Sequence, residues 1–207
     1  MMPQQPELLT KKLHKDIERY RQIISHWNAS TNLMATADIK DVHLFHTRHI
    51  LDSAQLINAV QDTPHIADIG TGAGFPGIVL ALLARELGSD QTVHLVESRE
   101  KRILFLKEAR RQLKLDNVVV HYDRIEALPP LPVTLFVSRA FRVLKDTLPL
   151  LRPHLTPETR YITLKGETWE QEVADAQRTW HFDLAISPSL THSKSGVLHI
   201  SNITRQS

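Results

Sequence analysis

Cysteine is absent from the 207 residues, and its absence removes three chemistries at once: disulfides, thiolate-ligated metal and a cysteine nucleophile. Long apolar runs are missing too. The longest, Ile78 to Ala84, falls far short of the roughly 18 residues of a membrane-crossing helix. The start Met1-Met2-Pro3-Gln4-Gln5-Pro6 is polar, unlike a signal peptide. A cytoplasmic protein without membrane partners is expected. No large excess of one charge is present either, and a net +2 does not by itself indicate nucleic acid. Hydrophobic residues at 42% and charged residues at 23% exclude the disordered class. Glycine does not occur before Gly70. That contrast marks an all-helical N-terminal part, residues 1–60, ahead of one main domain, residues 61–207.

What is present is concentrated in His65 to Gly77, HIADIGTGAGFPG. The run His65-Ile66-Ala67-Asp68-Ile69 reads as a buried parallel strand, and Gly70, Gly72 and Gly74 precede a helix that Pro76 suits as its first turn. Missing Cβ atoms let a ligand approach the main chain, so the stretch predicts a cofactor seat. Gly72 to Gly77 satisfies G-x-G-x-x-G, a pattern that alone would suit a dinucleotide. Asp68 argues otherwise. An acid two residues before the first glycine repels a pyrophosphate and attracts an ammonium group, which suits an amino-acid-bearing cofactor such as S-adenosylmethionine. Glu97, ending the run Thr92-Val93-His94-Leu95-Val96, stands where a ribose-binding acid is expected; it serves either cofactor equally.

The remainder alternates. Strands are predicted at 93–96, 118–122, 134–138, 161–164, 183–186 and 197–202, with helices at 76–87, 101–113, 144–151 and 169–179. This gives a doubly wound, seven-stranded α/β sheet whose last strand returns antiparallel, because no helix separates the final two. Ligands of such sheets sit at the carboxyl ends of the strands. There lie Asp68 to Gly74, Glu97-Ser98, Asp123 to Glu126, Ser138-Arg139-Ala140 and Lys165-Gly166, and one pocket is expected to gather them.

Upstream, Leu9, Leu13, Ile17, Tyr20, Ile24 and Trp27 recur at spacings of three and four, an amphipathic helix over Glu7 to Trp27 broken by Asn28 to Asn32. A second helix is expected from Val42 to Val60. His43, His46 and His49 on it cannot share one ion, because His43 and His49 fall about 240° apart around a helix at about 100° per residue; no metal is expected. Seven basic residues lie between Arg99 and Lys114 against Glu100 and Glu108. They suit a phosphate-facing ridge, and equally a solvated helix face with i, i+4 pairs.

Asp68 to Gly77 resembles the cofactor motif of the RsmG (GidB) family of bacterial small-subunit ribosomal RNA methyltransferases. Six further blocks resemble it in the same order: Trp27-Asn28 with Asn32-Leu33, Arg48 to Ser53, Glu97-Ser98 with Lys101-Arg102 and Phe105-Leu106, Arg124 to Glu126, Ser138 to Ala140, and Lys165-Gly166. Met34 and Thr134 stand where the family often has threonine and aspartate. The resemblance implies a class I S-adenosylmethionine-dependent methyltransferase fold with an N-terminal helical extension. It further implies methylation of guanine N7 at position 527 in the 530 loop of 16S ribosomal RNA, on RNA or on the small subunit. By motif, Gly70, Phe75, Ile125, Glu126 and Arg139 would contact the cofactor, beside Asp68, Gly72 and Glu97.

N7 carries a lone pair and no proton, so its methylation asks for positioning and no general base. The chain has neither the Asn/Asp-Pro-Pro-aromatic element used on exocyclic amines nor a cysteine for an adduct at pyrimidine C5. Arg139, at the target-base side, is expected to meet O6, a phosphate or the cofactor carboxylate, since a donor on N7 would occupy the attacking lone pair. Two other classes stay open: an NAD(P)-dependent oxidoreductase, and a non-catalytic RNA-binding assembly factor.

Overall fold

The computed structural model describes residues 10–206. Helix α1 spans Lys11–Thr31. It starts where Thr10 caps it, the side chain accepting from the Leu13 N–H at 3.2 Å, and it buries Leu13, Ile17, Tyr20, Ile23 and Ile24 along one stripe. The expected bounds shift accordingly. Glu7 and Leu9 lie outside the described residues, and Asn28 does not break the helix. Instead Asn32 ends it in the left-handed region at φ 48°, while the Asn28 side chain accepts from the Leu33 and Met34 N–H groups at 2.8 and 3.0 Å.

The single helix expected from Val42 to Val60 is in fact four pieces. After α2 (Thr36–Lys40) come α3 (Val42–Phe45), a π-helical turn (His46–Leu51), α4 (Asp52–Ala54) and α5 (Ile57–Val60). A π-turn is uncommon and often marks a site where a helix is distorted for a purpose. Here it carries Arg48 and His49, both of which meet the end of the sheet.

Seven strands form one sheet: β1 (His65–Ile69), β2 (Thr92–Glu97), β3 (Val118–Tyr122), β4 (Leu135–Arg139), β5 (Arg160–Lys165), β6 (Trp180–Pro188) and β7 (Gly196–Arg205). Their order is β3-β2-β1-β4-β5-β7-β6. The pairs among β1 to β5 are parallel, and β7 runs antiparallel to both its neighbours. Helices α6 (Gly77–Glu86), α7 (Glu100–Leu113), α8 (Leu144–Leu151) and α9 (Trp169–Ala176) connect the strands.

Each face of the sheet has its own core. One gathers α6 and α7 with α1, through Tyr20, Ile24, Phe75, Leu80 and Leu106; Trp27 meets Phe105 edge-on at 6.2 Å. The other gathers α8 and α9 over Phe136, Tyr161 and Trp180. The N-terminal helices are thus a layer on one face and share its core with the sheet. The switch point lies between β1 and β4, whose successors leave to opposite faces, and it opens at the carboxyl end of β1.

A candidate cofactor site and an adjoining acceptor cavity

Gly70 follows β1 directly. Its N–H and that of Thr71 both donate to the Val96 carbonyl, at 2.9 and 3.2 Å, and this fork turns the chain away from the sheet. Gly70 sits at φ +65° and Gly72 at φ +59°, where an L side chain is strained. A Cβ on Gly72 would meet nothing closer than Arg102 Nη1 at 3.6 Å. That open cradle is what a ligand approaching the main chain requires.

Asp68 is placed differently from expectation. It is fully buried beneath the loop and lines neither of the two cavities described below. Its Oδ2 accepts from the Thr71 hydroxyl at 2.6 Å and from the Gly77 N–H at 2.8 Å, binding the two ends of the glycine loop to β1. Its Oδ1 is buried with no partner. Burial pushes the carboxyl up to about 7 despite those two bonds. The charge that suggested an ammonium partner is therefore spent on the shape of the loop, and Thr71, its hydroxyl partner, carried no signal in the sequence.

A cavity of about 480 Å³ opens at the ends of β1, β2 and β3, a volume suited to a nucleoside-sized ligand. Gly70, Glu97, Ile125 and Glu126 line it together, and Ile125 opens a short 3-10 turn, Ile125–Ala127, after β3. The Glu97 side chain is only 5% exposed. Its Oε1 accepts from the N–H groups of Ser98 and Arg99 at 2.8 and 2.9 Å, and Oε2 faces Arg102 Nη1 at 3.3 Å. The carboxylate is fixed in orientation and retains lone pairs for a ribose hydroxyl. A glycine cradle, a rigid acid at the end of β2 and an apolar wall at Ile125 fit S-adenosylmethionine.

Phe75 and Arg139 belong elsewhere. Phe75 is 4% exposed and packs among Tyr20, Phe45 and His49, with ring centroids 5.3, 6.1 and 5.2 Å away. The Tyr20 hydroxyl donates to the Ala73 carbonyl, so α1 holds the glycine loop from behind. Neither Gly72 nor Phe75 lines the 480 Å³ cavity. Arg139 lies over Phe75, its Cζ 4.9 Å from the ring centroid, and lines a second cavity of about 560 Å³ with His49, Asp52 and Lys165. Two cavities stand where one was expected.

The second cavity is a closed electrostatic network. Arg139 donates to the Arg48 carbonyl at 2.6 Å and to His49 Nδ1 at 2.8 Å, and faces Asp52 Oδ2 at 3.4 Å. Asp52 Oδ1 accepts from the Thr191 hydroxyl at 2.7 Å. Lys165 pairs with Glu172 at 2.8 Å and donates to the Arg142 carbonyl. Burial first, and then the Arg139 charge, hold His49 below the usual imidazole pKa. Of these, His49 and Asp52 were legible only as parts of a family block, and Glu172 not at all.

On the outer face of α7, Arg111 pairs with Glu108 at 2.7 Å and Arg102 turns to Glu97. Lys101, Lys107 and Lys114 stay exposed. The basic segment is thus part ion-paired helix face and part free cation. Among the described residues no helix is long and apolar enough to cross a membrane.

Comparison with known proteins places the chain in a family. Residues 13–201 match the model of the family GidB, described as rRNA small subunit methyltransferase G. A ribosomal RNA small subunit methyltransferase G of Cereibacter sphaeroides is 33% identical over 193 residues, 93% of this chain and 92% of the relative. One of Gluconobacter oxydans is 33% identical, covering 95% and 97%. In fold, the chain is similar to an O-methyltransferase of Bacillus cereus solved with S-adenosylhomocysteine, with TM-score 0.56, 17% identity and 91% of each chain covered.

Proposed function

Because the chain belongs to the GidB family, rRNA small subunit methyltransferase G, and has the class I S-adenosylmethionine-dependent fold, we propose that it methylates N7 of guanine 527 in the 530 loop of 16S ribosomal RNA. One observation fits a ring nitrogen: the titratable groups around the second cavity are each tied to a neighbouring donor or cation, and a ring nitrogen asks none of them to take a proton. His49 accepts on Nδ1 and faces Asp38 with Nε2. Asp52 receives Arg139 and Thr191, and Glu172 receives Lys165 and the Leu144 N–H. Guanine N7 has no proton to surrender, so these groups can stay in their network throughout the transfer.

The work of the chain is placement. Gly70, Gly72, Glu97, Ile125 and Glu126 are the proposed holders of the cofactor, with Asp68 and Phe75 fixing the loop from below. When bound, S-adenosylmethionine supplies a sulfonium methyl: the N7 lone pair forms the new bond to carbon while the carbon–sulfur pair stays on sulfur, and the purine takes the positive charge. Aligning two bound reactants can lower a barrier by up to about 7–11 kcal/mol without any change of protonation. Arg139 serves the acceptor side, where its remaining donors suit O6 or a phosphate. The exposed lysines of α7 supply non-specific RNA attraction.

The test is transfer of labelled methyl to 16S RNA and to small subunits from a strain lacking the gene, with the modified base mapped by N7-specific cleavage. Label on a single guanine of the 530 loop is expected. Binding of RNA and S-adenosylhomocysteine without transfer would favour an assembly factor, and binding of NADH in place of S-adenosylhomocysteine would favour an oxidoreductase. Reversal of β7 within the sheet already separates this fold from the dinucleotide order.

A further inference from the structure

Phe141 stands where the two cavities meet. Their linings share Ala140, Phe141 and Arg142 and nothing else. The Phe141 ring lies directly on Gly70, so closely that a Cβ on that glycine would overlap it. It is therefore the wall between the space assigned to the cofactor and the space assigned to the acceptor. A methyl group passing from one to the other must pass this ring.

The turn that carries it is pinned at both ends. Upstream, Arg139 is fixed to Arg48 and His49. Downstream, the Arg142 carbonyl accepts from Lys165 and the Leu144 N–H donates to Glu172 at 3.1 Å. Between them Ala140 sits at φ +50°, a region that non-glycine residues rarely occupy and that stores strain. Phe141 is half-buried, and an aromatic ring has no polar group to tether it. The Arg142 guanidinium lies over it, Cζ 5.9 Å from the ring centroid. The ring packs against the α8–α9 core with no polar bond to hold it, so, next to a strained residue and between two anchors, it can turn while its anchors stay.

Resting on the functional reading above, we propose that Phe141 is the positioning residue for the acceptor base: turning off Gly70 about Ala140, it opens the wall between the cavities and stacks on the purine. Stacking presents the plane of the base, and hence its in-plane nitrogen lone pair, edge-on to the cofactor cavity. Aromatic faces hold bases in this way without reading their sequence. Specificity for the RNA then rests on contacts outside the cavity.

Phe141→Leu keeps the apolar volume and removes the aromatic face, whereas Phe141→Tyr keeps both. S-adenosylhomocysteine affinity of the purified full chain, RNA affinity of its S-adenosylhomocysteine complex, and kcat for small-subunit RNA are measured for each. The leucine variant should bind S-adenosylhomocysteine within about threefold of wild type, lose at least fivefold in RNA affinity and fall tenfold or more in kcat, with tyrosine restoring most of both. A leucine variant with wild-type RNA affinity and kcat overturns the proposal. So does one that has lost S-adenosylhomocysteine binding without recovery in tyrosine, since the ring is then merely cofactor wall. A wild-type protein that methylates no small-subunit RNA would instead overturn the functional reading itself.

Discussion

Arg139 donates from Nη2 to Nδ1 of His49 at 2.8 Å, and since a guanidinium can only donate, the imidazole is the neutral tautomer protonated on Nε2. Nε2 then donates to Asp38 Oδ2 at 2.9 Å. Nitrogen-15 NMR at neutral pH should show this tautomer, and a protonated Nδ1 would contradict the geometry. Arg139→Ala removes a positive charge and leaves Asp38, so the His49 pKa should rise. The wild-type value lies below the ordinary one, so the stability this residue contributes is present above the ordinary pKa and lost as pH falls through the folded one.

Asp68 shows the opposite dependence. Its folded pKa of about 7 exceeds the ordinary 3.8, so the folded state holds more protons between those values. Stability should therefore fall as pH rises across that window and level off above it. Asp68→Asn should flatten the slope in chemical denaturation run from pH 4 to pH 8. Asp68→Ala should be worse at every pH, since it strands the Thr71 hydroxyl and the Gly77 N–H at about 1–3 kcal/mol each. An unchanged slope in the asparagine variant would show that the acid is ionised when folded.

Tyr20 ties α1 to the glycine loop through the Ala73 carbonyl. Tyr20→Phe keeps the ring against Phe75 and leaves that carbonyl without its donor. Thermal unfolding should report a loss of about 1–3 kcal/mol, and titration should report S-adenosylhomocysteine affinity reduced several-fold. If affinity is unaffected while stability drops, the loop keeps its shape without the strut.

Gly70 and Gly88 make a controlled pair. Both have positive φ, +65° and +68°, but a Cβ on Gly88 would have nothing within 4 Å, whereas one on Gly70 would overlap Phe141. Gly88→Ala should cost about 1 kcal/mol of backbone strain and leave ligand binding untouched. Gly70→Ala should carry the same strain and also reduce S-adenosylhomocysteine affinity at least tenfold. Equal effects from the two would mean that the contact of Phe141 with Gly70 does not shape the ligand cavity.

The strands were legible because β-branched and apolar runs alternate with turn residues, and β3 was read with its observed bounds. The alternation over Asp183–Ile186 marks only the middle of β6, which runs Trp180–Pro188: the buried Trp180 lies beyond a bulge at His181–Asp183, and the exposed Ser187 and Pro188 are held by backbone pairing with β7. The π-turn at His46–Leu51 was illegible, since its wider pitch coincides with contacts to Arg139, far away in sequence. Gly70, Glu97, Ile125 and Glu126 meet around one cavity because strand ends converge by topology alone. Asp68, Phe75 and Arg139 do not join them. Each is drawn off by a partner: Asp68 by Thr71 in its own loop, and Phe75 and Arg139 by Tyr20 and His49, which only the packed structure brings near. Phe141 carried no motif, and its ring divides the one expected pocket into two.

The antiparallel strand β7 lies inside the sheet, between β5 and β6, although it is the last of the seven to be synthesised. A growing chain that has reached the end of β6 lacks the native neighbour of that strand, and β5 waits unpaired on one side. Sheet closure therefore waits for Gly196–Arg205, the strand that joins β6 to β5.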